Sequence, residues 1–137
     1  MKYFVVILLI LSACQSKKAD PQESPITGEW EYETIELYSG EKFDRSDSMF
    51  NLLHLQHVGL TISFTGNKTF TATRKHRNEP DEFLGKQHYK LEGDTILRLI
   101  NTGRPDDRFP IISLNDSLLK ANLFNSPLGY LVFRRKK

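Results

Sequence analysis

Two histidines, His54 and His57, lie three positions apart, and their spacing suggests metal binding. On a helix, side chains three positions apart lie on the same face, where two imidazole nitrogens can hold a zinc ion. A complete site needs a third protein ligand, and the sequence offers none with a suitable spacing nearby. We therefore predict that these histidines, like His76 and His88, are ordinary loop and surface residues and that the protein has no metal site.

The acidic residues are scattered, apart from two polar loops. One loop contains Asp106 and Asp107, and the other spans residues 75–82. Either loop could bind a cation, but acidic residues beside glycine and proline are more typical of solvated turns. The sequence contains no glycine-rich phosphate loop, no Gly-x-Ser-x-Gly motif and no serine–histidine spacing typical of hydrolases. We therefore predict that the protein is not an enzyme and uses no cofactor.

The basic residues do not form a nucleic-acid-binding pattern. The formal net charge is +2, from 19 basic and 17 acidic residues. The basic residues are spread along the chain, whereas a nucleic-acid-binding face concentrates them. One basic run, residues 134–137, fits a solvated C-terminus, and contact with anionic lipid heads is the alternative. We predict no nucleic-acid partner.

The single cysteine, Cys14, follows a segment with the features of an export signal. Lys2 supplies a positive charge, residues 3–11 are continuously apolar, and the next two residues are small. This order is typical of a cleavable signal peptide. The apolar run is about half the length that a membrane-spanning helix needs. One thiol cannot form an internal disulfide, so the fold must hold without one.

Residues 11–14, Leu-Ser-Ala-Cys, resemble the lipobox of bacterial lipoproteins. The resemblance implies that the Cys14 thiol receives a diacylglyceryl group, that the signal is cut just before it, and that acyl chains such as palmitate hold the mature protein on a membrane. The alternative is an ordinary secretory signal that contains a cysteine. Gln15 stands where the related inner-membrane retention signal has an aspartate, which favours the outer membrane, facing the periplasm.

The chain divides into three parts. We predict a signal peptide over residues 1–13, a lipidated cysteine and flexible tether over 14–25, and one folded domain over 26–137. The tether is polar and contains two prolines, a composition typical of disordered linkers. The domain is long enough to bury one hydrophobic core without disulfides.

The folded part has the pattern of strands. Val58, Leu60, Ile62 and Phe64 alternate with smaller or polar residues, a period of two. We predict eight strands, at residues 28–38, 58–64, 69–75, 87–91, 95–101, 108–114, 117–124 and 130–135. Short turns between them favour an antiparallel meander closed as a barrel or folded as a sandwich. Residues 39–57 fit a long loop that contains a short helix or an extra strand and lies over one barrel mouth.

Residues 26–30, Ile-Thr-Gly-Glu-Trp, resemble the Gly-x-Trp start of the first strand in lipocalins and in the short lipocalin-like domains of bacterial lipoproteins. Residues 130–135 resemble the last strand of those domains. The resemblance implies a calycin-type fold: all-β, with an eight-stranded antiparallel up-and-down barrel.

The resemblance also assigns residues to the structural closure of the barrel. These are Gly28, Trp30 and the pair Arg134 and Arg135, one of which would lie across the tryptophan ring. Cation–π attraction gives that contact a physical reason.

Two functions remain open at this point. In the first, Trp30, Tyr32, Phe64 and Tyr89 line a cavity for a small apolar ligand; the alternative is that they form a packed core. In the second, the barrel is filled, and the loops bind another envelope protein as an interaction or inhibitor module. The interior volume distinguishes the two, because a cavity of several hundred Å³ favours ligand binding.

Overall fold

The computed structural model describes residues 23–137. The predicted signal peptide, Cys14 and most of the predicted tether lie outside the described residues. Within residues 23–137, no helix is both long enough and apolar enough to cross a membrane.

Eight strands form one closed barrel in which each strand pairs antiparallel with the next, and the last pairs with the first. This confirms the predicted all-β, eight-stranded up-and-down barrel. The strands are β1 (Gly28–Leu37), β2 (Leu60–Phe64), β3 (Thr69–Arg74), β4 (Glu82–Glu92), β5 (Ile96–Ile100), β6 (Asp107–Leu114), β7 (Leu118–Ala121) and β8 (Gly129–Arg135). A helix, α1 (Ser48–His57), and a short 3₁₀ helix (Leu123–Asn125) complete the fold.

Alternation along the strands produces the core. In β1, Trp30 and Tyr32 point inward; a bulge between Tyr32 and Thr34 then shifts the register, so that Ile35 and Leu37 continue the inward face. Successive side chains of a strand point to opposite faces, so one extra residue restores the apolar face to the interior. The closed sheet leaves no free edge along the barrel wall.

Three strand boundaries differ by two or more residues from those predicted. β2 begins at Leu60 rather than residue 58. Val58 is the exposed C-cap residue of α1, and Gly59 has a φ of +82°, which does not occur within a strand. β4 begins at Glu82 rather than residue 87, since its first residues pair with the end of β3 beyond a bulge in the β3–β4 ladder. β7 ends at Ala121, because Phe124 adopts a left-handed backbone that a strand cannot contain.

Helix α1 is the element expected within residues 39–57, and no extra strand forms among them in the described chain. Asp47 caps the helix, its carboxylate accepting hydrogen bonds from the N–H groups of Met49 and Phe50. An aspartate in this position satisfies amide groups that have no partner within the helix. Leu53 packs against the barrel core and His54 is buried, so one side of α1 faces the barrel.

The antiparallel order gives the barrel two distinct ends. At the closed end, β1 begins and β8 ends, and tight turns join β2 to β3, β4 to β5 and β6 to β7. At the open end, β1 ends and β2 begins, and this end has α1, the longer loops and the 3₁₀ helix.

Candidate functional site

The interior of the closed end is filled around Trp30. This side chain has no exposed surface, and its ring N–H donates to the carbonyl of Ile26 over 2.8 Å. The guanidinium carbon of Arg135 lies 4.2 Å from the centre of the ring. Cation–π attraction and the indole hydrogen bond therefore act on the same residue.

Arg135 also connects the start of the domain to the last strand. Its three guanidinium nitrogens donate to the carbonyl oxygens of Asp116 at 2.7 Å, Thr27 at 2.5 Å and Pro25 at 2.6 Å. Gly28, with a φ of +133°, lies where an added Cβ would be 2.6 Å from Nη1 of Arg135. The start of the domain is therefore packed against its last strand.

The other basic residues near the C-terminus point elsewhere. Arg134 extends away from the tryptophan and donates from Nε to the carboxylate of Glu33 over 2.6 Å. Lys136 pairs with Glu29 over 3.1 Å. The basic run is largely exposed, and its first three residues also make intramolecular polar contacts.

The four residues proposed to line a ligand cavity, Trp30, Tyr32, Phe64 and Tyr89, are all buried in the barrel core. The rings of Phe64 and Tyr89 meet edge to face with centroids 5.1 Å apart. Phe70 lies 5.2 Å from Phe64 on its other side. These rings pack against one another, and none of the four residues borders the cavity found at the open end.

The open end contains a cavity of about 510 Å³. Its floor consists of buried apolar residues on β2 and β3, its walls come from β4 and the 3₁₀ helix, and the end of α1 lies at its edge. The lining residues are Gln56, His57, Leu60, Phe70, Ala72, Arg74, Leu84, Gly85, Gln87 and Phe124.

The space results from a pair of small residues that face each other. Ala72 on β3 is the register partner of Gly85 on β4, and both point into the barrel at the same level. A Cβ added to Gly85 would meet no atom within 4 Å. One level deeper, Phe70 pairs with Gln87 and the interior closes. Protein interiors are close-packed, so a void of this size needs such a local shortage of side-chain volume.

The charge at the edge of this cavity comes from Arg74. Nη2 donates to the carbonyl of Gln56 at the end of α1 over 3.0 Å, and Nη1 lies 3.5 Å from the carboxylate of Glu82. The Nε atom is buried and has no hydrogen-bond partner within residues 23–137. None of the lining residues is acidic.

A polar contact holds α1 over the open end. The Tyr32 hydroxyl and Nδ1 of His54 lie 2.8 Å apart, and the ring of Phe43 stacks 5.2 Å from the imidazole. Burial is the main cause that raises the pKa of Tyr32 above its ordinary value. Burial, followed by the nearby charges of Arg45 and His57, lowers the pKa of His54. Both side chains are therefore held in their neutral forms at neutral pH.

Both histidines whose spacing suggested a metal site make hydrogen bonds within the protein. Nδ1 of His54 is bonded to Tyr32, and Nδ1 of His57 donates to the carbonyl of Leu53 over 2.8 Å. Residues 23–137 contain no group of three metal-ligating side chains. The pair serves helix packing in this structure.

The acidic loops serve as structural anchors. Asp106 accepts hydrogen bonds from the backbone N–H of Asn101 at 2.9 Å and from Nε of Arg98 at 2.6 Å, which hold the pKa of its carboxyl below the usual range. Asp107 accepts from the Asn101 side chain. These two carboxylates connect β5 to the loop before β6. In the other acidic loop, Glu82 pairs with Arg74 and His76.

Sequence reasoning missed the residues that create the cavity. The sequence placed Arg74 within the predicted strand over residues 69–75 with no role of its own, and it left Leu84 and Gly85 between a predicted loop and a predicted strand. A signal did exist, since a glycine within a strand often marks a place where space is left or a ligand approaches. It was hidden because residues 83–86 follow the predicted polar loop directly and were not assigned to a strand.

No protein-family model and no curated protein matches this chain. Among solved structures, the chain is similar to a lipocalin-like protein from Bacteroides uniformis ATCC 8492, with a TM-score of 0.55 and 16% sequence identity. The similarity covers 82% of this chain and 100% of that one. It shows that the eight-stranded barrel has a lipocalin-like fold.

Proposed function

We propose that this lipocalin-like barrel is a binding protein that holds a small apolar ligand in the open-end cavity. The observation that carries the proposal is the volume of that cavity, about 510 Å³, within a barrel whose other end is filled. Ligand pockets in proteins typically have volumes of about 300–1,000 Å³ and mainly apolar linings.

The chemistry of the floor favours an apolar occupant. Leu60, Phe70 and Ala72 present hydrocarbon surface to the cavity and are otherwise buried. Covering such surface with an apolar ligand is favourable by about 25 cal/mol for each Å² removed from water. A wholly polar ligand would gain nothing from this floor and would lose its own hydration.

The direct test is native mass spectrometry of the gently purified protein, followed by titration with a fluorescent fatty-acid probe. We expect a co-purifying apolar molecule, and probe uptake that Gly85→Leu abolishes because the added side chain fills the cavity. The matched control is Gly66→Leu in the β2–β3 turn at the closed end, where an added Cβ also meets no atom within 4 Å. An apo mass together with no probe uptake would contradict the proposal.

We propose further that lipid on Cys14 anchors the protein in the outer membrane, facing the periplasm. The lipobox-like residues 11–14 support the anchor. The described chain begins beside the closed end, where Pro25 and Ile26 accept hydrogen bonds from Arg135 and Trp30.

Metabolic labelling with an alkyne-tagged palmitate tests the anchor. We expect label in the wild-type protein and none in Cys14→Ser, and the wild type in the outer-membrane fraction, protected from protease added to whole cells. Labelling of both proteins, or of neither, would contradict lipidation at this residue.

A second candidate function, binding of an envelope protein, is favoured by exposed apolar side chains around the open end. Met49, Leu52 and Leu55 on α1 and Phe83 on β4 are each between 56% and 64% exposed. The three helix residues lie within the predicted loop over residues 39–57, and Phe83 directly follows the polar loop over residues 75–82. A photo-crosslinker at Leu55 should then capture one defined protein in cells, while one at exposed Lys90 on the barrel wall should not.

A further inference from the structure

The inward face of β3 changes from apolar to charged as it approaches the open end. Phe70, Ala72 and Arg74 lie two positions apart, so all three point inward at successive depths. From the first to the third, the strand rises about 13 Å, at roughly 3.3 Å per residue. A ligand lying along this strand has hydrocarbon at one end and a guanidinium at the other.

Arg74 has unused capacity to bind an acceptor. A guanidinium has five N–H donors, and within the described chain one hydrogen bond, to the Gln56 carbonyl, meets normal geometry. The Nη1–Glu82 distance of 3.5 Å is long for a charge-assisted hydrogen bond, which is normally about 2.7–2.9 Å. The buried Nε has no partner in residues 23–137. The two Nη groups carry four N–H donors, of which one is in a hydrogen bond of normal geometry, so donors remain for a ligand oxygen.

The remaining electrostatics of the cavity agree with an anionic group. No acidic side chain borders it, and Glu82, the carboxylate nearest to Arg74, is half exposed and also bonded to His76. Near a partly desolvated arginine, a carboxylate or phosphate on the ligand gains more than an exposed glutamate does, because solvent screens the exposed pair.

We propose that the ligand is an amphipathic chain with an oxyanion head, a carboxylate or a phosphate, which Arg74 binds at the cavity edge while the chain lies over Ala72 and Phe70. Both heads match the planar fork of a guanidinium, which donates two parallel hydrogen bonds to either. This inference rests on the proposed ligand-binding function and adds the class of the ligand.

Three probes with the same twelve-carbon chain test it: dodecanoic acid, dodecyl phosphate and dodecanol. Calorimetry at neutral pH would use the mature chain bearing Cys14→Ser, which keeps every residue after the signal and needs no detergent. We expect at least one of the two anions to bind about tenfold or more tightly than the alcohol. The anion that binds more tightly identifies the natural head group.

Variants assign the preference to Arg74. Arg74→Gln should bind the anion and the alcohol about equally, and Arg74→Lys should retain part of the preference, since lysine keeps the charge but not the fork. Arg104→Gln is the matched control, because Arg104 lies in the open-end loop before β6 and does not border the cavity. Glu82→Gln removes a competing carboxylate and should tighten anion binding without changing alcohol binding.

The outcomes separate the two proposals. Equal binding of acid, phosphate and alcohol by the wild type would overturn the head-group inference and leave the ligand-binding function standing. Binding of none of the three would overturn both. If Arg74→Gln unfolds, as a thermal melt would show, the Glu82→Gln result decides, and unchanged anion affinity in that variant would count against the inference.

Discussion

Both ends of the barrel contain inward-pointing aromatic and aliphatic residues, but only the closed end fills its interior. At the closed end, Phe64 faces Phe70 across the β2–β3 ladder, and Trp30 lies beneath Arg135. At the open end, the small pair Ala72 and Gly85 leaves a cavity. The same sheet therefore encloses a filled interior at one end and an accessible cavity at the other, because the volume of the inward side chains differs between the two levels.

The two ends also differ in how their cationic residues are satisfied. Arg135 donates to three backbone carbonyls and contacts a ring, so its polar and apolar surfaces are both used. Arg74 makes one hydrogen bond of normal geometry and retains a buried Nε without a partner in the described chain. The arginine at the closed end is therefore used in packing, whereas the arginine at the open end keeps unused donors beside the cavity that we propose as the ligand site. Matched substitutions at the two ends test this contrast.

The largest effect should come from the centre of the closed end. Trp30→Ala should lower the free energy of unfolding by about 3–5 kcal/mol, since a fully buried indole is lost and a void remains. Phe124→Ala at the open end removes a partly exposed ring and should cost less than about 1 kcal/mol. Urea denaturation of the two variants measures the difference, and equal losses would break the contrast between the ends.

The next effect concerns the two adjacent arginines. Arg135→Gln should lower the free energy of unfolding by about 2 kcal/mol, because it loses the cation–π contact and hydrogen bonds to backbone carbonyls. Arg134→Gln, which loses an exposed pair with Glu33, should cost about 0–1 kcal/mol. Chemical denaturation in low and high salt checks both. A larger loss of stability in Arg134→Gln than in Arg135→Gln would show that Arg135 is not the residue that closes the barrel.

Alanine at two glycines should act in opposite directions. Gly28→Ala should destabilise the fold by about 1–2 kcal/mol, because its φ of +133° is strained for an L-residue and the new Cβ would crowd Arg135. Gly85→Ala should raise the free energy of unfolding by up to about 1 kcal/mol, since it restricts the unfolded chain and meets open space. Thermal melts of the pair would show opposite shifts in Tm; shifts of the same sign would contradict the assigned environments.

The smallest effect concerns the attachment of α1 and depends on pH. Burial holds the pKa of His54 below its ordinary value of 6.5, so the unfolded chain binds a proton there more readily than the folded chain does. Stability from this group is complete above pH 6.5 and falls as the pH drops from 6.5 towards the folded pKa. His54→Gln should reduce this decline in pH-dependent urea melts, and an unchanged slope would show that His54 does not contribute to it.

Much of the barrel could be predicted because strand signals are local. The alternation in residues 60–64 and the turns at residues 65–68 and 93–94 specify strands and reversals without any distant partner. The spacing of apolar residues predicted a short helix or an extra strand within residues 39–57, and the structure contains the helix. The start of β4 was missed because it directly follows a polar loop and joins the sheet only through pairing with β3 across a bulge.

The candidate site could not be predicted from the same signals. The aromatic residues chosen for a ligand cavity lie in the packed core, because aromatic character shows that a side chain is buried but not what surrounds it. The cavity depends on Ala72 and Gly85 facing each other, a register that a bulge in the β3–β4 ladder shifts by one residue.

The sequence by itself determined eight strands joined by short turns, because alternation and turn residues act over a few positions. Closure of the first strand on the last was implied by the lipocalin resemblance, and the structure confirms it. Only the tertiary structure decided between Arg134 and Arg135. Neighbours on a strand point to opposite faces, and the β1–β8 register places Arg135 opposite Trp30. Only the tertiary structure decided which end stays open, since the volume inside a barrel depends on which side chains from different strands meet at the same level.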